Sequence, residues 1–274
     1  MPSGGCIVQF NFFTHAFFVL LTCVLFILLS GCAPDKKLTV ISFKPYYEDT
    51  ALTCNTAFTR ENIAWQVEQF QFFISNVEYK STKGKWLKWP MLTNARQAKD
   101  VALIGGYFVE GCAEQMQVEN WQLSLQAIEQ EDISKIRFTL GVPFQLNHLN
   151  PLKQPSPLND SSMFWVWQTG HKFMRLELNS ENNHWLFHLG STGCKSASAL
   201  RAPQERCQQA NTTVIELDID VTAPAIKVDL ARLLNNVTLS DSTSCQSAHQ
   251  DKYCQALFSN LGINNNQQVF RRYQ

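Results

Sequence analysis

The residues able to do chemistry in this chain are its imidazoles, indoles and thiols. His148 lies in a proline-rich stretch, and His188 sits inside the apolar segment Trp185-Leu-Phe-His-Leu. An imidazole can act as a base, a metal ligand or a hydrogen-bonded core residue, and an apolar strand favours the last. His188-Leu-Gly-Ser191 brings a hydroxyl near an imidazole. Ser191 stands in no Gly-x-Ser-x-Gly elbow, however, and no acidic partner is identifiable, so the chain is not expected to be an enzyme. His188 with Cys194 and Cys207 would be a zinc reading, but CxxC pairs are missing. Trp165 and Trp167 share one face if their segment is extended, and Met163 offers either a thioether or a core filler. His171, His184 and His249 stand in polar contexts and are expected at the surface.

These groups must be read in the compartment where the chain works. The first 31 residues contain no Lys, Arg, Asp or Glu, and Ala16 to Leu29 is an apolar run of 14. That is short for a membrane span and suits a signal-peptide core. It leads into Leu29-Ser30-Gly31-Cys32, which resembles a bacterial lipobox with Cys32 as the lipid acceptor. Ala33 at the following position favours the outer membrane over inner-membrane retention. Residues 1–31 are therefore expected to be a lipoprotein signal peptide, 32–37 a tether and 38–274 the folded domain, exported and held to the membrane only through its lipid. Cys54, Cys112, Cys194, Cys207, Cys245 and Cys254 then form an even set in an oxidising compartment. Six cysteines allow about 15 pairings. Local spacing favours Cys194–Cys207 and Cys245–Cys254, leaving Cys54–Cys112, for three disulfides in all.

The formal charge is zero, with 23 basic and 23 acidic residues, which disfavours nucleic acid as a partner. About 240 residues remain beyond the signal, enough for one large all-β domain. Leu38–Lys44, Gln69–Tyr79, Val101–Phe108, Ser134–Gly141, Phe173–Leu178, Trp185–Leu189, Thr213–Val221 and Ala225–Leu230 read as strands by alternation and β-rich composition. Lys83-Gly-Lys85 reads as a hairpin tip, and Gly105-Gly106 as a bulge. Short helices are expected only at Asp229–Leu234 and at Gln255–Leu261 before Gly262. The pattern predicts an antiparallel β-sandwich or barrel-like single domain with long irregular loops. Four prolines (Pro143, Pro151, Pro155 and Pro157) predict no regular structure between Gly141 and Asn159, yet the apolar residues there predict packing.

Three runs in this region are distinctive: Phe138-Thr-Leu-Gly-Val-Pro-Phe-Gln-Leu-Asn-His148, Gln154-Pro-Ser-Pro-Leu-Asn159 and Met163-Phe-Trp-Val-Trp-Gln-Thr-Gly-His-Lys-Phe173. With Phe187-His-Leu-Gly-Ser-Thr-Gly-Cys194 and Asp251-Lys-Tyr-Cys-Gln-Ala-Leu-Phe-Ser-Asn-Leu-Gly262, they resemble the MbnP-like family of periplasmic copper-binding proteins. That family is associated with methanobactin operons and MauG-like dihaem partners. Its pattern is compatible with three disulfides, and its usual tyrosine is replaced here by His171. The resemblance implies copper as cofactor, in acquisition, storage or homeostasis, and a tryptophan oxidised to kynurenine by the dihaem partner. On this reading His148 and His188, which stand in matched runs, are the metal ligands; Trp165, Trp167 and Met163 are candidates for oxidation or ligation. The competing expectation is a metal-free surface lipoprotein that presents aromatic loops to a protein or glycan.

Overall fold

The computed structural model describes residues 38–273 except 55, 109–117, 129–132, 167, 221 and 264–266. Cys32, Trp167 and Cys112, each assigned a role above, lie outside the described residues. From Leu38 onward the chain forms one compact unit. In order, the strands are β1 (Leu38–Tyr47), β2 (Thr50–Ala51), β3 (Ala57–Arg60), β4 (Ile63–Ser81), β5 (Trp86–Lys88), β6 (Gln97–Ala98), β7 (Val101–Tyr107), β8 (Gln122–Gln126) and β9 (Ile133–Leu140). A short helix α1 (Phe144–Asn147) precedes β10 (Lys172–Asn179), β11 (His184–Gly190), β12 (Thr213–Asp218) and β13 (Ala225–Asp229). Helices α2 (Leu230–Leu233) and α3 (Lys252–Leu261) and strand β14 (Phe270–Arg272) complete the chain.

Two open sheets pack face to face. The smaller has the order β14-β13-β1-β2 with β8 also on β1; the larger runs β11-β10-β4-β7-β6, with β3, β5 and β9 also on β4 and β12 on β9. Pairing is antiparallel except between β1 and β13, which run parallel. The architecture is thus the expected all-β sandwich, and neither sheet closes into a barrel. Strand β4 joins its parts: residues 66–72 pair with β10, while its C-terminal half pairs with β9 and β5. Gln69 to Ser75 are all buried, which explains their unbroken run of apolar and uncharged polar side chains. Between the sheets, Phe43 packs edge-on against Phe72 and Phe138, and Phe270 does the same from β14. Such pairs add roughly 0.5–1.5 kcal/mol each beyond burial.

Local chemistry sets the remaining elements. Asp229 and Asp251 accept bonds from Arg232 N and Tyr253 N, capping α2 and α3, and Gly262 ends α3 in the left-handed conformation. Gly84 has φ 81° at the tip of the predicted β4–β5 hairpin. Gly105 makes no bulge, since β7 pairs with β4 in continuous register. A Cβ there would lie 2.1 Å from Phe70 O, and φ is +99°, so glycine serves close approach of two backbones instead. The proline-rich stretch is more regular than expected. Pro143 precedes α1, Pro151 starts a 3-10 turn capped by Asn150, and a second 3-10 turn, Ser161–Met163, is capped by Asp160. Proline at the first turn forfeits no hydrogen bond, so these rings start short helices rather than forbidding them.

Disulfides join Cys194 to Cys207 and Cys245 to Cys254, as local spacing predicts. Cys54 is also disulfide-bonded. Cys245 exchanges backbone hydrogen bonds with Leu186 and His188, so the second bridge links α3 to the edge of β11.

Candidate functional site

The β10–β11 hairpin carries the site. Along β10, Met174, Leu176 and Leu178 point into the core, leaving Arg175, Glu177 and Asn179 on the other face. Register sets Arg175 opposite His188, Glu177 opposite Leu186 and Asn179 opposite His184. Glu177 is therefore diagonal to both histidines of β11, within reach of long side chains. Its Oε1 lies 2.7 Å from His188 Nε2. Arg175 grips the same carboxylate with two bonds, Nε to Oε1 at 2.7 Å and Nη2 to Oε2 at 2.9 Å. Burial would raise the Glu177 pKa, but the bonds from His188 and Arg175 and the Arg175 charge outweigh it and hold the group at about 2. An ionised carboxylate only accepts, so Nε2 of His188 carries the proton. Burial pushes the His188 pKa down, opposed by Glu177, and the ring is neutral near pH 7. Among the described residues, Nδ1 of His188 has no hydrogen-bond partner.

Trp165 closes over this imidazole. Its ring centroid lies 6.4 Å from that of His188. A Cβ on Gly190 would stand 2.5 Å from Trp165 Cζ3 and 2.9 Å from His171 O, so only glycine admits the indole here. The turn before Trp165 is pinned by its Ser162 carbonyl, which accepts from Lys172 Nζ at 2.8 Å and Arg175 Nη1 at 2.9 Å. Met163 within this turn is fully buried among core residues.

His148 and His171 occupy a different setting. Asn147, the last residue of α1, bridges them. Its Nδ2 lies 3.2 Å from His148 Nε2, and its Oδ1 accepts from His171 N at 2.8 Å. His148 Nε2 also lies 3.6 Å from Cys207 Sγ. It is thus His148, not His188, that stands with Cys194 and Cys207 in a cluster of three donors. The two sulfurs are bonded to each other and offer no thiolate, which removes zinc ligation in the oxidised protein. A cleft of about 260 Å³ opens beside this bridge, lined by Phe144, Gln145, Ser191, Arg206 and Cys207 among others. Ser191 Oγ donates to Ala210 O at 3.2 Å, so it and His188 have separate partners.

His171 corrects the expectation of a surface residue, for it is fully buried. Its ring lies edge-on between Phe73 and Phe164. Nδ1 faces Asn147 O at 3.1 Å and Nε2 faces Leu158 O at 2.9 Å. Burial lowers its pKa, partly opposed by these two carbonyls. The polar sequence around it hid a residue that ties α1 and the proline-rich stretch to β10. His249 is half-buried against Phe258 and bonds Asn211 Oδ1 at 2.7 Å, again not a free surface residue. His184 is exposed as expected, with Nε2 2.8 Å from Glu68 Oε2. Glu68 reaches it because β4 is irregular there: Gln69 pairs with Glu177 and Val67 with Leu178, leaving Glu68 as the extra residue.

Sequence reasoning missed Glu177, Arg175 and Asn147. The first two were legible as the polar positions of an alternating strand, but which neighbours they met depended on register.

The fold and site together define an all-β sandwich protein whose edge hairpin holds a neutral, carboxylate-supported imidazole against an indole. The MbnP family profile matches residues 36–247, and the chain belongs to that family. Among solved structures, MbnP from Methylosinus trichosporium is similar at 21% identity and a TM-score of 0.70, over 82% of this chain and 88% of that one. No curated protein matches the chain.

Proposed function

We propose that this protein is an exported lipoprotein, anchored through Cys32 and facing the periplasm from the outer membrane, that binds copper for acquisition, storage or homeostasis. The carrying observation is the His188 ring. One nitrogen is committed to Glu177, and the other keeps a lone pair unused among the described residues, within a buried setting beside Trp165. Neutral imidazole is a good copper ligand, and a carboxylate on its far nitrogen is the usual support for a metal-bound histidine. Family membership supports the same reading. His148 is the second ligand candidate; ligation through Nε2 requires it to give up the Asn147 amide. Met163 would contribute a thioether only if the core around it yields.

On this reading Trp165, whose ring lies 6.4 Å from that of His188, is the tryptophan oxidised to kynurenine by a MauG-like dihaem partner. Opening the indole would supply an aniline nitrogen and a carbonyl next to His188, where the indole itself is only an N–H donor.

The test is copper binding by the mature protein beside a His148→Ala/His188→Ala double variant, with intact and peptide mass on protein from its native host. Copper held by the wild type and lost by the variant is the expected result, with a modified mass mapping to Trp165. Equal binding by both sinks these ligands. No copper on either, with an unmodified mass, returns the reading to a metal-free lipoprotein that binds a protein or glycan.

A further inference from the structure

The site owes its arrangement to one ion pair. Glu177 receives three bonds, one from His188 Nε2 and two from Arg175, and its side chain is only 12% exposed. Arg175 is not spent on that pair alone. Its Nη1 donates to Ser162 O, and so does Lys172 Nζ, tying down the turn that delivers Met163 and Trp165. The acid therefore holds the imidazole while its partner base holds the loop bearing the indole.

We infer that Arg175–Glu177 is the positioning pair of the site: Glu177 fixes His188 as the Nε2–H tautomer, leaving Nδ1 as the ligating nitrogen, and Arg175 sets Trp165 against it. This deepens the copper reading and rests on His188 being a ligand. Two facts favour it over a merely structural ion pair. The bond to His188 uses the one nitrogen whose protonation decides which lone pair is available. The Arg175 guanidinium joins Glu177, which holds His188 of β11, to the Ser161–Met163 turn, which leads into Trp165. Neither residue is offered as a ligand itself, since the Glu177 oxygens are already occupied by these donors.

The experiment uses the exported protein and its Glu177→Gln, Glu177→Ala, Arg175→Gln and His188→Ala variants. Nitrogen-15 chemical shifts of the His188 ring, read without metal at pH 7.5, report the tautomer directly. The expected wild-type result is a proton on Nε2, with part of it shifting to Nδ1 in Glu177→Ala. Glu177→Gln, whose amide oxygen can still accept, should restore most of the tautomer. Cu(I) affinity should fall about 10- to 100-fold in Glu177→Ala and less in Glu177→Gln. In Arg175→Gln, the through-space contact between the Trp165 and His188 ring protons should weaken. A wild-type proton on Nδ1 overturns the proposal outright. Copper lost in His188→Ala but held with unchanged affinity in Glu177→Ala overturns the positioning role while leaving the copper reading intact. Copper absent from the wild type removes the copper reading and this inference with it; copper kept with unchanged affinity by His188→Ala removes His188 as a ligand, and with it this inference.

Discussion

His171 stands immediately before β10 and His188 lies on β11, its hairpin partner, and the surroundings of the two rings differ in a way that separates a structural histidine from a candidate ligand. Both nitrogens of His171 face backbone or amide oxygens, and its ring is wedged between Phe73 and Phe164. The neutral ring donates its one N–H to a carbonyl, and the second carbonyl stands in front of the other nitrogen, where a ligand would have to approach. His188 is nearly as buried, but it spends one nitrogen on a carboxylate and none of the described residues takes the other. Burial alone therefore says little about a histidine; the accounting of its two nitrogens says much more.

The comparison breaks first on stability. His171→Ala should cost about 3–4 kcal/mol, because it empties a packed site and leaves one buried carbonyl, of Asn147 or Leu158, without the ring N–H. His188→Ala, at the rim of the hairpin, should cost less than half of that. Urea unfolding of both variants measures this, and equal losses would erase the distinction. The reverse ranking should hold for copper: His188→Ala weakens Cu(I) binding by about 100-fold or more, equivalent to about 2.7 kcal/mol, while His171→Ala, measured where it is still folded, changes it little.

Gly190 sharpens the contact between indole and imidazole. A methyl there meets Trp165 Cζ3 at 2.5 Å, so Gly190→Ala must displace a rigid ring. A loss of about 2 kcal/mol is expected, together with a changed Trp165 environment in its indole N–H resonance. An unchanged resonance would mean that the indole does not rest on β11.

How much of this was legible beforehand follows from range. The alternation in Ser134–Gly141 and Phe173–Leu178 reads directly as β9 and β10, because side-chain period is a local property. The short-loop disulfides were legible for the same reason. His171 was not, since Thr169-Gly170-His171-Lys172 looks like surface until the chain folds Asn147 over it. Gly105 reads as a bulge in the sequence because its real partner, the Phe70 carbonyl, lies 35 positions away. The proline count says little at Gly141–Asn159, because proline at a helix start and proline as a helix breaker look the same in sequence. His148 and His188 are legible as imidazoles able to ligate, and the family resemblance singles them out for copper; the support of Glu177 depends on the register of β10 against β11.

pH tests the carboxylate half of the comparison. Glu177 is ordinarily near 4.5 and is held at about 2. A depressed carboxylate stabilises the fold above its unfolded pKa, and the contribution is lost as pH falls from about 4.5 toward 2. It amounts to roughly 2 kcal/mol after allowance for partial solvent access. Glu177→Gln should therefore be less stable than wild type at pH 7 and converge with it near pH 2. The lowered pKa values of His171 and His188 add a second loss, beginning as pH falls below about 6.5, where the unfolded imidazoles take up protons first.

Lys172 gives the smallest effect and the opposite sign of constraint. Burial, and then the neighbouring Arg175 charge, pull its ammonium down to about 8, although Nζ still donates to Ser162 O. A lysine whose pKa is lowered on folding opposes the native state while charged, and this cost is present in full below about pH 8. As pH rises from about 8 to 10.5 the folded protein releases the proton first, the unfolded chain holds more protons, and stability from this group increases. Lys172→Met should flatten that rise, with a gain of about 1 kcal/mol at pH 7 set against the lost bond to Ser162. Arg175 retains its own bond to Ser162, so the Trp165 turn should stay in place and copper affinity should be unchanged. If copper binding falls with Lys172→Met, the turn depends on both cations, and Arg175 alone does not set Trp165 against His188.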